Sequence, residues 1–300
     1  MNPGEPEPEQ RVTIDTLRAY RAAGRKIVVL TAYDAPFASL AEQAGADILM
    51  VGDSLGMAIL GYPTTVPVTL DQMLHHAAAV CRVRRRAMVI GDMPFGSYNS
   101  SERDAIISAT RFIKEAGVDA VKVEGGAEVA PTIKALVRAG IAVMGHVGVL
   151  PQLVAQQSSA AVQGATRQAA LKLIRDCRAV EEAGVFCYQF ESVPRLLARE
   201  IVKRSSVPVL GIGAGEFCDG QILITHDVVG LFQRPAPRFV KRYADLSTPA
   251  VEALKAFSDD VRQGRFPEPR HSFVIGEEII GELFQSEEAR GAGSGGQPVR

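Results

Sequence analysis

The sequence predicts an α/β protein folded as a TIM (β/α)8 barrel, and three observations carry that prediction. Short apolar runs too hydrophobic for half-exposed strands alternate with longer segments of helical period, the pattern of βαβ units around a buried parallel sheet. The joints between them repeat. "EQAGAD", "KEAGVDA", "VRAGIAV" and "EEAGVFC" place Gly45, Gly117, Gly140 and Gly184 just after a helix and before an apolar strand, where glycine takes the left-handed cap conformation. Eight such units in about 230 residues is the size of a TIM barrel.

Taken in order, the segment "TIDTLRAYRAAG" reads as a helix capped by Thr13, with Ile14, Leu17 and Ala22 turned inward to close the barrel floor. The strands are read at residues 27–31, 46–51, 87–90, 120–123, 142–144, 185–190 and 207–211, with the eighth at 221–224. After them, "TPAVEALKAFSDDVRQGRFP" reads as an extra C-terminal helix, started by the proline after Thr248 and stopped at Gly264. An open doubly wound sheet is the rival fold. It is disfavoured because the first strand runs into "TAYDAPFAS" and not into G-x-G-x-x-G. No break in composition marks a second domain, so a single barrel domain is expected over 13–284. The Pro- and Glu-rich start, 1–12, and the Gly-rich end, 285–300, are expected to be disordered tails.

Composition narrows the function classes. Apolar residues make up 47% and charged residues 22% of 300, the balance of a globular chain with a large core. With 33 Lys and Arg against 34 Asp and Glu, the net charge of -1 creates no field to gather nucleic acid or anionic lipid. No run approaches the roughly 18 apolar residues of a membrane helix, and the N-terminus lacks the basic and apolar parts of a signal peptide. A cytoplasmic protein is expected, with neither membrane nor nucleic acid as partner. Cys81, Cys177, Cys187 and Cys218 form no CxxC pair and read as small buried hydrophobes.

In a parallel barrel the ligand meets the C-terminal ends of the strands, so the polar residues that directly follow each apolar run are the candidates. "ADILMVGDSLGM" ends its strand with Asp53 and Ser54, and "AMVIGDMPFGSY" with Asp92. "AVKVEGG" supplies Lys122 and Glu124, "IAVMGHVG" supplies His146, and "CYQFESVP" supplies Glu191. A lone Asp there is often a turn or helix cap. Asp53 and Asp92, however, both follow Gly at the ends of consecutive strands, and hard oxygen ligands on neighbouring rim points suit Mg²⁺. Lys122 and Glu124 are two apart in one strand, so both face the barrel interior, as a structural ion pair or as part of a site. For His146 the alternative is a core histidine, and for Glu191 a helix cap. The glycines of "GIGAG" add a weak phosphate-loop signal at the mouth.

At this point the chain resembles the ketopantoate hydroxymethyltransferase family of the phosphoenolpyruvate and pyruvate barrel superfamily. The matching strings are "TAYDAPFA", "VGDSLGM", "PVTLDQM", "GDMPFGSY", "VKVEGG", "GHVGVLPQ", "VQG", "FESVP", "GIGAG", "CDGQIL" and "HDVVGLF", in the family's order from Thr31 to Phe232. The ending "GRFPEPRHSF" resembles it too. The resemblance implies that Asp53 and Asp92 bind Mg²⁺ and contact a keto acid, with Glu124 joining the metal shell directly or through water. It implies that Ser54 and Lys122 hold the substrate carboxylate, that Glu191 is the base, and that His146 supports the mouth. The implied reaction transfers a hydroxymethyl group from 5,10-methylenetetrahydrofolate to 3-methyl-2-oxobutanoate, through an enolate that Mg²⁺ stabilises. A large ring-like homo-oligomer is implied as well. With Asp53 and Asp92 on the metal and Glu124 beside Lys122, Glu191 is the uncommitted carboxylate. Its strand, with Phe186, Tyr188 and Phe190, is expected to desolvate it in part.

Three departures from the family pattern stand out. Ser158, Ser159, Ala160 and Ala161 replace a Gly-Gly-aromatic-basic stretch, which predicts weaker engagement of folate with enolisation intact. Pro63 stands in "GYPTT", and Gln189 sits where an apolar residue is common. Two rival functions follow. A lyase or decarboxylase of the same superfamily acting on a dicarboxylate would need an additional Arg at the mouth. A catalytically silent paralogue acting as a binding partner would have no reason to retain Asp53, Asp92, Lys122 and Glu191 together.

Overall fold

The computed structural model describes residues 10–153, 162–232, 235 and 237–291. Eight parallel strands close in sequence order into a barrel. They are β1 (Ile27–Thr31), β2 (Ile48–Val51), β3 (Met88–Asp92), β4 (Ala120–Glu124), β5 (Val143–Gly148), β6 (Cys187–Glu191), β7 (Val209–Ile212) and β8 (Gly220–Leu223). β1 pairs with β8 through Ile27 and Gly220, which closes the ring. All eight expected strands form. β3, β4, β5 and β6 reach one to four residues further toward the mouth than the apolar runs indicated, because Asp92, Glu124, His146 and Glu191 are themselves paired in the sheet.

The helix α1 (Ile14–Ala22) precedes the strands, α2 (Ala35–Gln43), α3 (Leu55–Ala58), α4 (Leu70–Val83), α5 (Glu102–Arg111), α6 (Ala130–Arg138), α7 (Arg167–Ala183) and α8 (Arg195–Val202) lie between them, and α9 (Thr225–Val228) follows β8. Several start where side chains satisfy the open N–H groups of the first turn: Thr13, Asp34, Thr69, Ser101 and Thr166 each cap a helix this way. The repeated glycines do what their position requires. Gly45, Gly117, Gly140 and Gly184 have φ of 90°, 78°, 84° and 102°.

Strand alternation splits the core into two layers. Outward side chains such as Leu49, Val89, Val121, Tyr188 and Phe190 meet the helices in the larger cluster. Inward ones such as Ile27, Ile48, Met88, Met144 and Leu210 fill the barrel, and Val12 and Leu17 belong to that same inner cluster. Thus α1 closes the floor as expected through Leu17, with Ile14 packed beside it, whereas Ala22, expected to face inward, is exposed at the last turn. Val12 is buried in the floor although the sequence assigned it to the N-terminal tail.

Charged residues also serve the floor. Asp47, Asp119 and Asp219 each stand just before a strand and accept the backbone N–H of Val28, Val89 and Val209 on the neighbouring strand, at 2.9–3.0 Å. Arg86 and Arg25 pair with Asp47, Arg11 and Arg84 with Asp119, and Arg21 with Asp219.

The chain divides into two compact units, residues 1–245 and 246–300, at a boundary that no composition break announces. The second unit holds α10 (Ser247–Arg262), which is the expected C-terminal helix, and α11 (Glu277–Gly291), which runs beyond the residue 284 where the sequence reading ends the domain. Among the described residues no helix is long and apolar enough to cross a membrane. The four cysteines are free thiols, three of them buried.

Candidate active site

The mouth of the barrel is built by the last inward residue of successive strands. Asp53 follows β2, Asp92 ends β3, Lys122 and Glu124 lie on β4, His146 on β5, and Gln189 and Glu191 on β6. Sheet register brings them side by side: Asp92 is opposite Lys122, Glu124 opposite His146, and His146 opposite Gln189. Two backbone features bring the last strands together. Gly148 (φ 106°) lies so near β6 that a Cβ there would stand 2.4 Å from Glu191 O, and Ser192 turns the chain away in a left-handed conformation (φ 52°).

All the sequence-predicted site residues converge here. Asp53, Asp92 and Glu124 are buried, and an oxygen of each lies within 4.8 Å of the others. Asp92 Oδ2 accepts the backbone N–H of Asp53 at 3.1 Å. Its other oxygen, Oδ1, lies 2.9 Å from Lys122 Nζ, and with two lone pairs and this one neighbour the buried atom keeps unused accepting capacity. Lys122 Nζ also donates to Glu124 Oε1 at 3.2 Å, so the lysine serves Asp92 as well as the expected Glu124. His146 bonds to carboxylates, not to a backbone carbonyl. Its Nδ1 lies 3.0 Å from Glu124 Oε1, and its Nε2 lies 3.4 Å from Glu191 Oε2. Ser54 Oγ is 2.8 Å from Tyr33 Oη.

The electrostatics follow from crowding charge out of water. Burial, then the Asp92 and Glu124 charges, push the Asp53 carboxyl well above its ordinary value, and burial raises Asp92 as well. For Lys122, burial works against the charged form, but Asp92, Glu124 and Asp53 outweigh it and hold the ammonium above its usual range. Glu124 is the settled carboxylate of the three. Burial is overcome by Lys122 and His146 and by hydrogen bonds, and its value falls to about 2. Burial and Lys122 oppose a charged His146, yet Glu124 and the bond to Glu191 raise it to about 9.

One expectation fails. Tyr188 and Phe190 do not surround Glu191: they alternate to the outer face and pack against helices. Glu191 is 18% exposed at its side chain and its neighbours are polar, Gln189 Nε2 at 3.3 Å and His146. The altered segment Ser158–Ala161 lies outside the described residues. Sequence reasoning also missed several residues that line or brace the site, among them Tyr33, Thr65, Tyr98, Gln152 and Asp227. Tyr33, Thr65, Tyr98 and Gln152 are neutral side chains in loops or turns, without periodic or charge signal, and Asp227 lies in the short α9 and not at a strand end.

Above these groups opens a cavity of about 390 Å³. Met50, Met57, Ile212, Ile222, Ile224 and Phe239 form its apolar wall. Among the described residues lining it, Lys122 and His146 are the only basic ones, and no Arg stands ready for a second substrate carboxylate.

The model of the ketopantoate hydroxymethyltransferase family matches residues 11–269. The chain belongs to the ketopantoate hydroxymethyltransferase family. Members of that family from single organisms match it over nearly their whole length. The 3-methyl-2-oxobutanoate hydroxymethyltransferase of Carboxydothermus hydrogenoformans is 49% identical over 274 residues, 91% of this chain and 99% of that protein. The enzyme of the same name from Moorella thermoacetica is 51% identical over 263 residues, 88% and 98%. Among solved structures, a phosphonopyruvate hydrolase complex with oxalate and Mg²⁺ covers 93% of this chain and 96% of its own at 18% identity, with a TM-score of 0.57. A 2,3-dimethylmalate lyase of the PEP mutase/isocitrate lyase superfamily covers 97% and 100% at 16% identity, with a TM-score of 0.56. At such identities these two likenesses establish the barrel fold, beyond which the family carries the chemistry.

Proposed function

We propose that this chain transfers a hydroxymethyl group from 5,10-methylenetetrahydrofolate to 3-methyl-2-oxobutanoate, giving ketopantoate, with Mg²⁺ as the resident metal. The observation that carries this reading is the division of labour among the carboxylates. Three share one point, while Glu191 stands apart and is reached by His146 and Gln189. Enolising a keto acid calls for both parts: a cationic place for its oxygens and a separate base for its carbon-bound proton.

The residues fit a hard divalent ion. Asp53, Asp92 and Glu124 offer only oxygen donors, one of them a buried atom with unused capacity, and Lys122 and His146 are fewer than the three carboxylates they face. Asp53 and Asp92, with Glu124, would hold it, and a dication there supplies the Lewis acid that polarises the keto oxygen. Ser54 and Lys122 hold the substrate carboxylate, and the apolar wall takes the isopropyl group. Glu191 takes the proton from the third carbon of the substrate. That carbon then bonds to the methylene carbon of the folate, both of whose carbon–nitrogen bonds break, and water provides the hydroxyl oxygen; one freed nitrogen takes the proton collected by Glu191 and the other the remaining proton of the water. His146, bridging Glu124 and Glu191, holds the base in place. The absence of Arg from the described cavity lining favours this monocarboxylate over the dicarboxylate of a lyase. The homo-oligomer implied by the resemblance belongs to the same proposal. It is supported by α10, which exposes Val251, Leu254, Phe257 and Val261 at helical spacing.

Incubation with 3-methyl-2-oxobutanoate, 5,10-methylenetetrahydrofolate and Mg²⁺ is expected to yield ketopantoate. In heavy water without folate, the parent protein should exchange deuterium into the third carbon, and Glu191→Gln should exchange about 10²–10⁴-fold more slowly. A variant that exchanges as fast as the parent would assign the proton to another group.

A further inference from the structure

Gln152 lies in the turn after β5, 3% exposed, with each of its polar groups engaged. Its Nε2 donates to Asp53 Oδ2 at 3.0 Å and to Met93 O at 3.0 Å. Its Oε1 accepts from Tyr98 Oη at 2.7 Å. Its backbone N–H donates to Glu124 Oε2 at 3.2 Å. The orientation of the amide is fixed by chemistry. A carbonyl and a carboxylate can only accept, so the group facing Met93 and Asp53 must be the –NH₂, and Oε1 is left for the tyrosine hydroxyl. Tyr98, 2% exposed, lies also 3.2 Å from the backbone oxygen of Glu124.

From this geometry we propose that Gln152 is the positioning residue of the acidic triad, orienting Asp53 and Glu124 for a divalent ion, with Tyr98 orienting Gln152. The inference rests on the metal reading above. It concerns a residue that touches neither substrate nor ion and acts through the two carboxylates. Two considerations make the role specific. Asp53 and Glu124 come from strands on opposite sides of β3, and this single residue bonds to both, so a shift of position 152 moves two ligands at once. Further, Lys122 reaches Asp92 and Glu124, whereas the donor placed on the Asp53 carboxylate is the neutral amide of Gln152. A neutral donor holds Asp53 in place without cancelling the negative charge that attracts the ion. A lysine in that place would supply the cation itself. Outer partners of this kind typically govern metal affinity by about 10–100-fold.

The test is the dissociation constant of Mn²⁺, followed by electron paramagnetic resonance on the parent protein, Gln152→Ala and Tyr98→Phe, with the thermal midpoint of each metal-free protein measured in parallel. Gln152→Ala is expected to weaken Mn²⁺ at least about tenfold, and Tyr98→Phe, which keeps the ring and removes one hydroxyl, to weaken it less, in the same direction. A bracing role confined to packing would lower the thermal midpoint and leave the dissociation constant unchanged, which would overturn the proposal. If Gln152→Ala does not fold, Tyr98→Phe decides by the same criterion. A parent protein that binds no Mn²⁺ would overturn the metal reading and this inference together. A parent that binds with variants that bind equally well would overturn this inference alone.

Discussion

The two ends of the barrel carry carboxylates in opposite states. At the floor, Asp47, Asp119 and Asp219 each face at least one arginine, and Asp47 and Asp119 face two. Each also accepts a backbone N–H, so charge and hydrogen bonding are both settled. At the mouth, Asp53, Asp92 and Glu124 share one lysine and a histidine, and Asp92 Oδ1 keeps an unused accepting site. One end is neutralised by the chain itself. The other is left short of positive charge, which is the condition under which a bound cation gains most. On the proposed reading the same residue types serve stability at one end and binding at the other, and what separates them is the supply of counter-charge.

The sharpest way to break this comparison is at the mouth. Asp92→Ala should fold but lose at least about 10³-fold in turnover, since a Lewis acid contributes several kcal/mol to such a transition state. Product formation with excess Mg²⁺ measures it, and full activity of the parent in a strong chelator would show that the mouth needs no cation. At the floor the effect should be one of stability. Asp47→Asn removes the charge that Arg86 and Arg25 face and should cost about 2 kcal/mol in urea unfolding. Its Mn²⁺ affinity should equal the parent's, and a loss there would mean that the two ends are not separable.

The smallest effect should be a gain. Burial and like charge raise Asp53 in the folded protein, so the native state holds its proton more tightly than the unfolded chain does. Stability from this group is present below the unfolded value of about 3.9 and declines as pH rises through the folded value. Asp53→Asn should therefore raise the metal-free thermal midpoint by about 2 °C at neutral pH, and the gain should vanish near pH 3. A lower midpoint at neutral pH would show that Asp53 stabilises the empty mouth.

The order of strands and the charged site were legible because both leave local marks. Apolar runs end in Asp53, Asp92, Glu124, His146 and Glu191, and a parallel barrel turns every such ending toward one rim. The parity that put Lys122 and Glu124 on one face also puts Tyr188 and Phe190 on the other, so the expected aromatic surroundings of Glu191 contradict the alternation of their own strand. Gln152 and Tyr98 could not be read this way. They lie in turns, they are neutral, and only the folded chain brings residue 152 to residue 53. Lys122 is intermediate: its interior face was legible, whereas its closer approach to Asp92 than to Glu124 depends on the β3–β4 register.

That register has a further consequence. Asp47 at the foot of β2 holds Val28 of β1, Asp119 at the foot of β4 holds Val89 of β3, and Asp219 at the foot of β8 holds Val209 of β7. The ring is thus assembled from two-strand staves, three of them pinned at the lower end by an aspartate. Because side chains alternate, sliding a stave by one residue would swing every inward group to the helix layer. Lys122 and Glu124 stand three and five residues above their pin, so their height and facing are measured from the floor, whereas Asp53 lies beyond the end of β2, where the loop and not the alternation turns it to the mouth. The fourth stave lacks the pin. At the foot of β6, Phe186 occupies the matching place, its N–H reaching Val143 O at 3.0 Å and its ring lying in the inner cluster. That stave carries His146 and Glu191. On the proposed reading, the groups that would hold a cation hang from staves pinned by charge, and those that would handle the proton hang from the one seated by an aromatic ring.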